Sequence, residues 1–177
     1  MNLLIYNLLK IIFYFSNNRE EYINEFFRRK GIKIGKNCKI YSNIVTGEAF
    51  LIKIKDNVTI SNGVQFITHD NSIIKINDQY TDIFGEIYID DNVFIGAKTI
   101  ILPGVFIAKN IIIGSGSVVT KSFNEEGIII AGNPAKKIRK IDKEYIEYIS
   151  QFGVNLNIKN KKDKKEKILY SKKIKKE

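Results

Sequence analysis

IDDNVFIGAKTIILPGVFIAKNIIIGSGSVVTKSF, residues 89–123, repeats a pattern six residues long. An aliphatic residue returns at Ile89, Ile95, Ile101, Ile107, Ile113 and Val119, and a second set falls four places later at Val93, Thr99, Val105, Ile111, Ser117 and Phe123. Strand alternation has period two and an amphipathic helix 3.6, so a strict six requires a longer structural unit. Three hexapeptides make one triangular turn of about 18 residues, and turns stacked at roughly the 4.8 Å strand spacing pile the aliphatic residues into a continuous core. The pattern predicts a parallel β-helix.

Working outward, the same register governs two earlier runs. Ile34, Ile40 and Thr46 are six apart with Cys38 and Ile44 at the fifth places, and Ile54, Ile60 and Phe66 are six apart with Val58 and Val64. Thr46 to Ile54 is eight residues, which predicts a two-residue bulge. Phe66 to Ile89 is twenty-three, which no whole number of hexapeptides fills, so a loop leaves the coil at about 72–88. It follows His69, the only histidine.

The ends read differently. Residues 1–15 are apolar at helical spacing (Leu4, Ile5, Leu8, Leu9, Ile12, Phe13), carry Lys10, and are too few to cross a bilayer. This segment is expected to cap the open end of the coil; a subunit contact or a membrane surface beside lipid-linked substrates are its other readings. Arg28, Arg29 and Lys30 close a helix that Gly31 ends. The expected organisation is therefore a helical segment over 1–31, the β-helix over 32–134 and a C-terminal segment over 135–155. In the last of these, 141–152 form a short amphipathic helix. A lysine-rich tail over 156–177 is expected to be disordered.

Composition fits this plan. The 177 residues are 44% hydrophobic, enough for one core. The formal charge of +10 is concentrated at the end, where residues 159–177 hold ten lysines against Asp163, Glu166 and Glu177. Aromatic residues are not interleaved with those charges as base-stacking platforms require, which argues against nucleic acid. Cys38, the only cysteine, excludes an internal disulfide framework and sits at an inward place, suiting a reducing compartment.

The hexapeptide register, the T-H-D of residues 68–70, the N-V-F-I-G-A of residues 92–97 and the A-G-N-P-A-K-K-I-R of residues 131–139 resemble the hexapeptide-repeat acetyltransferases. Within that family the chain is most similar to sugar O-acetyltransferases of surface-polysaccharide pathways and to xenobiotic acetyltransferases. The resemblance implies an all-β, left-handed parallel β-helix. It implies a cytoplasmic homotrimer, open to association with the inner face of the membrane, and acetyl-CoA bound between neighbouring coils.

The resemblance also assigns residues. His69 would be the general base, since imidazole is the side chain best suited to take a proton at physiological pH. Asp70 would hold the imidazole or orient the acceptor, or instead cap a turn. Acetyl-CoA would lie along Phe94, Gly96, Ala97, Ser115, Thr120 and Lys121, with Lys136 and Arg139 on the nucleotide phosphates. Phe94 replaces the family's usual tryptophan. For Gly96 and Gly114 coil geometry alone is a competing explanation, and for Lys136 and Arg139 a solvated basic turn is.

The acceptor is expected to be a small molecule or glycan contacted by the 72–88 loop and the 46–53 bulge. Glu48, Asp78, Tyr80 and Asp82 there are equally explained by loop polarity. N-acetylation of an amino sugar, acetylation of a xenobiotic and a non-catalytic β-helix scaffold are the alternatives. A zinc hydratase on the same fold requires three histidines at one metal, so no metal is expected.

Overall fold

The computed structural model describes Leu8, Ile11, residues 18–154, Lys167, Ile168 and Ser171. The helix expected over 1–15, apart from Leu8 and Ile11, and the tail expected over 156–177, apart from Lys167, Ile168 and Ser171, lie outside the described residues. The chain divides into two compact units, Met1–Arg139 and Lys140–Glu177.

The first unit is a three-faced coil of parallel strands. One face stacks β1 (Lys33–Ile34), β3 (Ile52–Ile54), β8 (Ile87–Ile89) and β11 (Phe106–Ile107). A second stacks β2 (Lys39–Ile40), β4 (Thr59–Ile60), β9 (Phe94–Ile95), β12 (Ile112–Ile113), β14 (Ile128–Gly132) and β15 (Ala135–Lys140). The third holds only β5 (Gln65–Phe66), β10 (Ile100–Ile101) and β13 (Val118–Val119). The remaining strands, β6 (His69–Asp70) and β7 (Ile83–Phe84), pair antiparallel as a hairpin standing off the coil.

The hexapeptide register sets this stacking. Ile89 pairs with Ile107, Ile95 with Ile113 and Ile101 with Val119, each one turn apart, and all six are fully buried. Each isoleucine so buried stabilises the coil by about 1.5–3 kcal/mol. The corners supply the left-handed backbone that sharp turns need. Asn37, Asn57, Asn92 and Asn110 occupy one corner with φ between 56° and 61°. Asparagine tolerates that region better than most residues, and the Asn92 side chain donates to Asn110 Oδ1 at 2.8 Å.

Three departures from the regular period are instructive. The bulge expected between Thr46 and Ile54 is a short 3-10 turn, Ala49–Leu51, and it makes the first coil longer: Ile34 pairs with Ile54 and Ile40 with Ile60. The loop has the expected length but begins earlier than 72 and ends before 88. The chain leaves the coil after Thr68 and has returned by Gly85, whose N–H donates to Thr68 C=O at 3.0 Å. Ile87 and Tyr88 belong to the coil, opposite Ile52 and Lys53; strand alternation places Ile87 inward beside Ile89, which counting by sixes from Ile89 does not reveal. Finally, Phe123 does not continue the fifth-place column. It bridges Ile107, and Ile130 pairs with Ile113, so the last coil is shortened.

Helix α1 (Arg19–Arg29) closes the lower end. Ile23 and Phe27 are buried with Ile32, and Arg28 donates to the C=O groups of Ile34 and Gly35 at 2.9 and 2.7 Å. The cap the structure describes is therefore this helix, which ends as expected at Gly31 with φ 103°. The second unit holds α2 (Lys143–Ser150), whose N-cap Asp142 accepts from Tyr145 N–H at 2.8 Å. No helix among the described residues is long and apolar enough to cross a membrane.

Candidate active site at the loop mouth

Thr68 is the last residue held inside the coil before the hairpin departs, and it is buried. The next residue, His69, begins β6 and is exposed, with Phe84 of β7 opposite it and its ring 5.9 Å away. The first coil is 20 residues long, and its last stretch brings Glu48 into contact with both Thr68 and His69. Glu48 Oε2 there accepts from Thr68 Oγ at 2.7 Å and is 2.9 Å from His69 Nδ1. Thr46 and Thr68 join their hydroxyls at 2.6 Å, and Thr46 Oγ also accepts from Glu48 N–H at 3.2 Å.

The electrostatics follow from these contacts. The Thr68 hydroxyl, and after it the His69 imidazole, hold the Glu48 carboxyl below its usual range, so it is an anion at neutral pH. A carboxylate only accepts, so in the neutral imidazole the proton between the two sits on Nδ1 and Nε2 is the acceptor nitrogen.

Asp70 shows the turn-capping alternative. Its Oδ1 accepts from Ser72 N–H at 2.8 Å, the turn-capping arrangement, and that bond chiefly lowers its carboxyl's affinity for a proton. The residue in contact with the imidazole is Glu48, which the sequence offered as an acceptor contact or a polar loop residue and not as a partner of His69.

The residues assigned to acetyl-CoA separate onto different edges of the coil. Gly96, Ala97 and Ser115 share the corner between the second and third faces, where Gly116 N–H donates to Ala97 C=O at 2.8 Å. Gly96 is buried, and a Cβ on it would lie 2.7 Å from Ile113 C=O, so the stacking of coils by itself requires glycine there. Phe94 stands exposed on the second face between Thr59 and Ile112. Thr120 and Lys121 follow β13 at the places that Ile67 and Thr68 hold after β5 on the same face, and both are exposed. Lys136 and Arg139 are exposed on β15, with Lys137 between them paired to Glu125 at 2.6 Å. Asp78 and Tyr80 lie exposed on the hairpin loop. Among the described residues no cluster of histidine, cysteine or carboxylates could hold a metal.

Residues 86–121 match the family described as the hexapeptide repeat of succinyl-transferase. Protein CapG of Staphylococcus aureus is 40% identical over 120 residues, spanning 65% of this chain and 69% of CapG. The galactoside O-acetyltransferase of Escherichia coli K12 is 31% identical over 131 residues, spanning 72% of this chain and 63% of that enzyme. The chain belongs to the hexapeptide-repeat acetyltransferase family. A solved galactoside acetyltransferase in complex with coenzyme A superposes with a TM-score of 0.60 at 26% identity, covering 80% of this chain and 81% of that one. The coil of a hexapeptide-repeat acetyltransferase is a left-handed β-helix, so the hand the motifs implied is the hand of this fold, against the right-handed rule for most parallel crossovers. As a member of the family the protein is an acyltransferase.

Proposed function

We propose that this protein transfers an acetyl group from acetyl-CoA to a hydroxyl of a sugar or surface-polysaccharide precursor, by direct transfer with His69 as general base. The observation that carries the reading is the Glu48–His69 contact at 2.9 Å, which leaves Nε2 as the basic nitrogen at the mouth of the loop. The acceptor hydroxyl donates to Nε2 and gives up its proton as its oxygen forms a bond to the thioester carbonyl carbon. The Glu48 carboxylate stabilises the resulting imidazolium. When the C–S bond breaks, the departing sulfur of coenzyme A takes that proton and the base is restored. No acetyl-enzyme is involved, and the only thiol, Cys38, is buried and donates to Lys55 C=O at 3.0 Å.

Two further assignments belong to this reading. Acetyl-CoA lies along Phe94, Ala97, Ser115, Thr120 and Lys121 with Lys136 and Arg139 at its phosphates, while Gly96 contributes close coil stacking. The site is shared between copies in a homotrimer. His69 and the Ala97–Ser115 corner lie on different edges of one coil, which favours a site completed by a neighbour. The test is acetyl transfer to a panel of sugars by His69→Ala: a folded variant that keeps full activity overturns the assignment of the base.

A further inference from the structure

Two of the inward fifth places of the repeat are polar. Val93, Val105 and Ile111 fill theirs with apolar carbon, whereas Thr99 and Ser117, one turn apart, carry hydroxyls and are fully buried. Packing alone does not call for a hydroxyl there, since Val64 fills the same place one coil below Thr99. Both hydroxyls turn to the backbone of the corner beside them. Thr99 donates to Gly96 C=O at 2.8 Å, with Gly114 C=O at 3.3 Å, and Ser117 donates to Gly114 C=O at 2.6 Å while accepting from Gly132 N–H at 3.2 Å. A carbonyl drawn inward fixes the rest of its peptide. The Gly96–Ala97 and Gly114–Ser115 bonds are trans, and in a planar trans unit N–H and C=O point in opposite directions. The N–H groups of Ala97 and Ser115 therefore point out of the coil. Among the described residues neither meets an acceptor, although the amides around them do: Gly96 donates to Ile113 C=O at 2.9 Å, Lys98 to Asn62 C=O at 3.0 Å and Gly116 to Ala97 C=O at 2.8 Å.

We infer that Thr99 and Ser117 are positioning residues for the acetyl donor: from inside the coil their hydroxyls aim the Ala97 and Ser115 N–H groups at carbonyl oxygens of the acetyl-pantetheine arm. The two donors stand one coil apart, roughly 4.8 Å, at a corner where Ala97 is half-buried and Ser115 exposed. Their direction is set before the ligand arrives, so binding costs no reorientation of the backbone. With a methyl group in place of the Thr99 hydroxyl, the Gly96 carbonyl would lack its nearest donor in an apolar interior, which is costly. Rotating that peptide to bring the carbonyl toward water relieves the cost and carries the Ala97 N–H inward. A purely structural role, tying successive coils together at this corner, predicts a change in melting and none in which end of the donor is held. The inference rests on the reading that lays acetyl-CoA along Ala97 and Ser115.

The experiment is titration of the full chain with acetyl-CoA by calorimetry, and with adenosine 3′,5′-bisphosphate, the nucleotide end of the same molecule, by ligand-observed NMR, for wild type, Thr99→Val, Thr99→Ser and Ser117→Ala. Thr99→Val should bind acetyl-CoA about tenfold more weakly, the worth of one hydrogen bond, and bind the bisphosphate as wild type does. Thr99→Ser keeps the hydroxyl and should stay within about threefold of wild type for both ligands. Ser117→Ala should repeat the split one coil higher, and it carries the test if Thr99→Val does not fold. Valine and alanine variants that bind acetyl-CoA as wild type does, an equal loss of both ligands, or a serine variant as weak as the valine one overturn the inference. A wild type that does not bind acetyl-CoA overturns the donor site itself and the inference with it, whereas tight wild-type binding left intact in the variants overturns the inference alone, so the two failures are told apart.

Discussion

Glu48 and His69 are 21 residues apart in the chain and 2.9 Å apart in space, with Oε2 of the first against Nδ1 of the second. The contact joins two irregularities of an otherwise repetitive coil, the short turn after Glu48 and the hairpin that opens at His69. It fixes which imidazole nitrogen is free. Replacing the carboxylate with an amide removes the anion, and the new N–H₂ group can donate to Nδ1 and drive the proton to Nε2. Glu48→Gln should therefore lower kcat about 10- to 100-fold, a large part of what a general base contributes, with the KM for acetyl-CoA little changed. Asp70→Asn, whose carboxylate caps a turn at Ser72, should lower kcat much less. Steady-state kinetics on the two variants side by side check the assignment.

The same carboxylate makes stability depend on pH. Its folded pKa lies below its unfolded value, near 4.3 for glutamate, because the Thr68 hydroxyl and then His69 favour the anion. A depressed carboxyl contributes stability that is fully present above the unfolded value and is lost as pH falls through the folded one. Melting temperature should accordingly drop more steeply below about pH 4 for wild type than for Glu48→Gln. Thermal melts between pH 3 and 7 measure it, and parallel curves for the two proteins would remove Glu48 as the source.

Gly96 separates a packing role from a ligand role. A methyl group there meets Ile113 C=O at 2.7 Å, so Gly96→Ala must push two coils apart. Overpacking of this kind costs about 1–3 kcal/mol. The variant should melt several degrees lower while its remaining folded fraction keeps a near-normal KM for acetyl-CoA. A normal melting temperature with a weakened KM would return Gly96 to the donor site.

The core of this fold was legible because inward residues recur at fixed spacing: the pairings of Ile95 with Ile113 and Ile101 with Val119 follow directly from the period. What escaped was how the chain rejoins the coil after the loop and how the last coil closes. Ile87 could not be placed by counting sixes back from Ile89, and Phe123 continues the pattern in sequence yet pairs with Ile107 in space. His69 was legible from its motif. Its partner was not, since a contact made by stacking depends on the length of a coil rather than on neighbouring residues.

The basic pair at the end of the coil gives a clean test of donor binding. Charge-assisted hydrogen bonds contribute about 1.5–3 kcal/mol each, so Lys136→Ala combined with Arg139→Ala should raise the KM for acetyl-CoA by about 100-fold or more and leave kcat nearly unchanged. Lys137, paired to Glu125 at 2.6 Å, is the comparison: its replacement by alanine should change that KM far less. Equal effects at all three positions would mean that net charge alone attracts the nucleotide.

Sharing of the site between copies predicts complementation. His69→Ala removes the base on one edge of the coil, and Ser115→Trp fills the corner where Ala97 and Ser115 meet on another. If each site takes its base from one copy and its donor corner from the next, every homotrimer of either variant is inactive. Mixed trimers nevertheless contain interfaces at which an intact His69 faces an intact Ser115 corner. Random assembly from equal amounts makes about one interface in four complete by the cyclic arrangement of the subunits. Co-expressed or co-refolded variants should thus regain roughly a quarter of wild-type transfer activity, whereas the two proteins assembled separately and then mixed should regain none. Should the co-assembled mixture stay as inactive as its components, both edges serve a single chain and the shared site is ruled out.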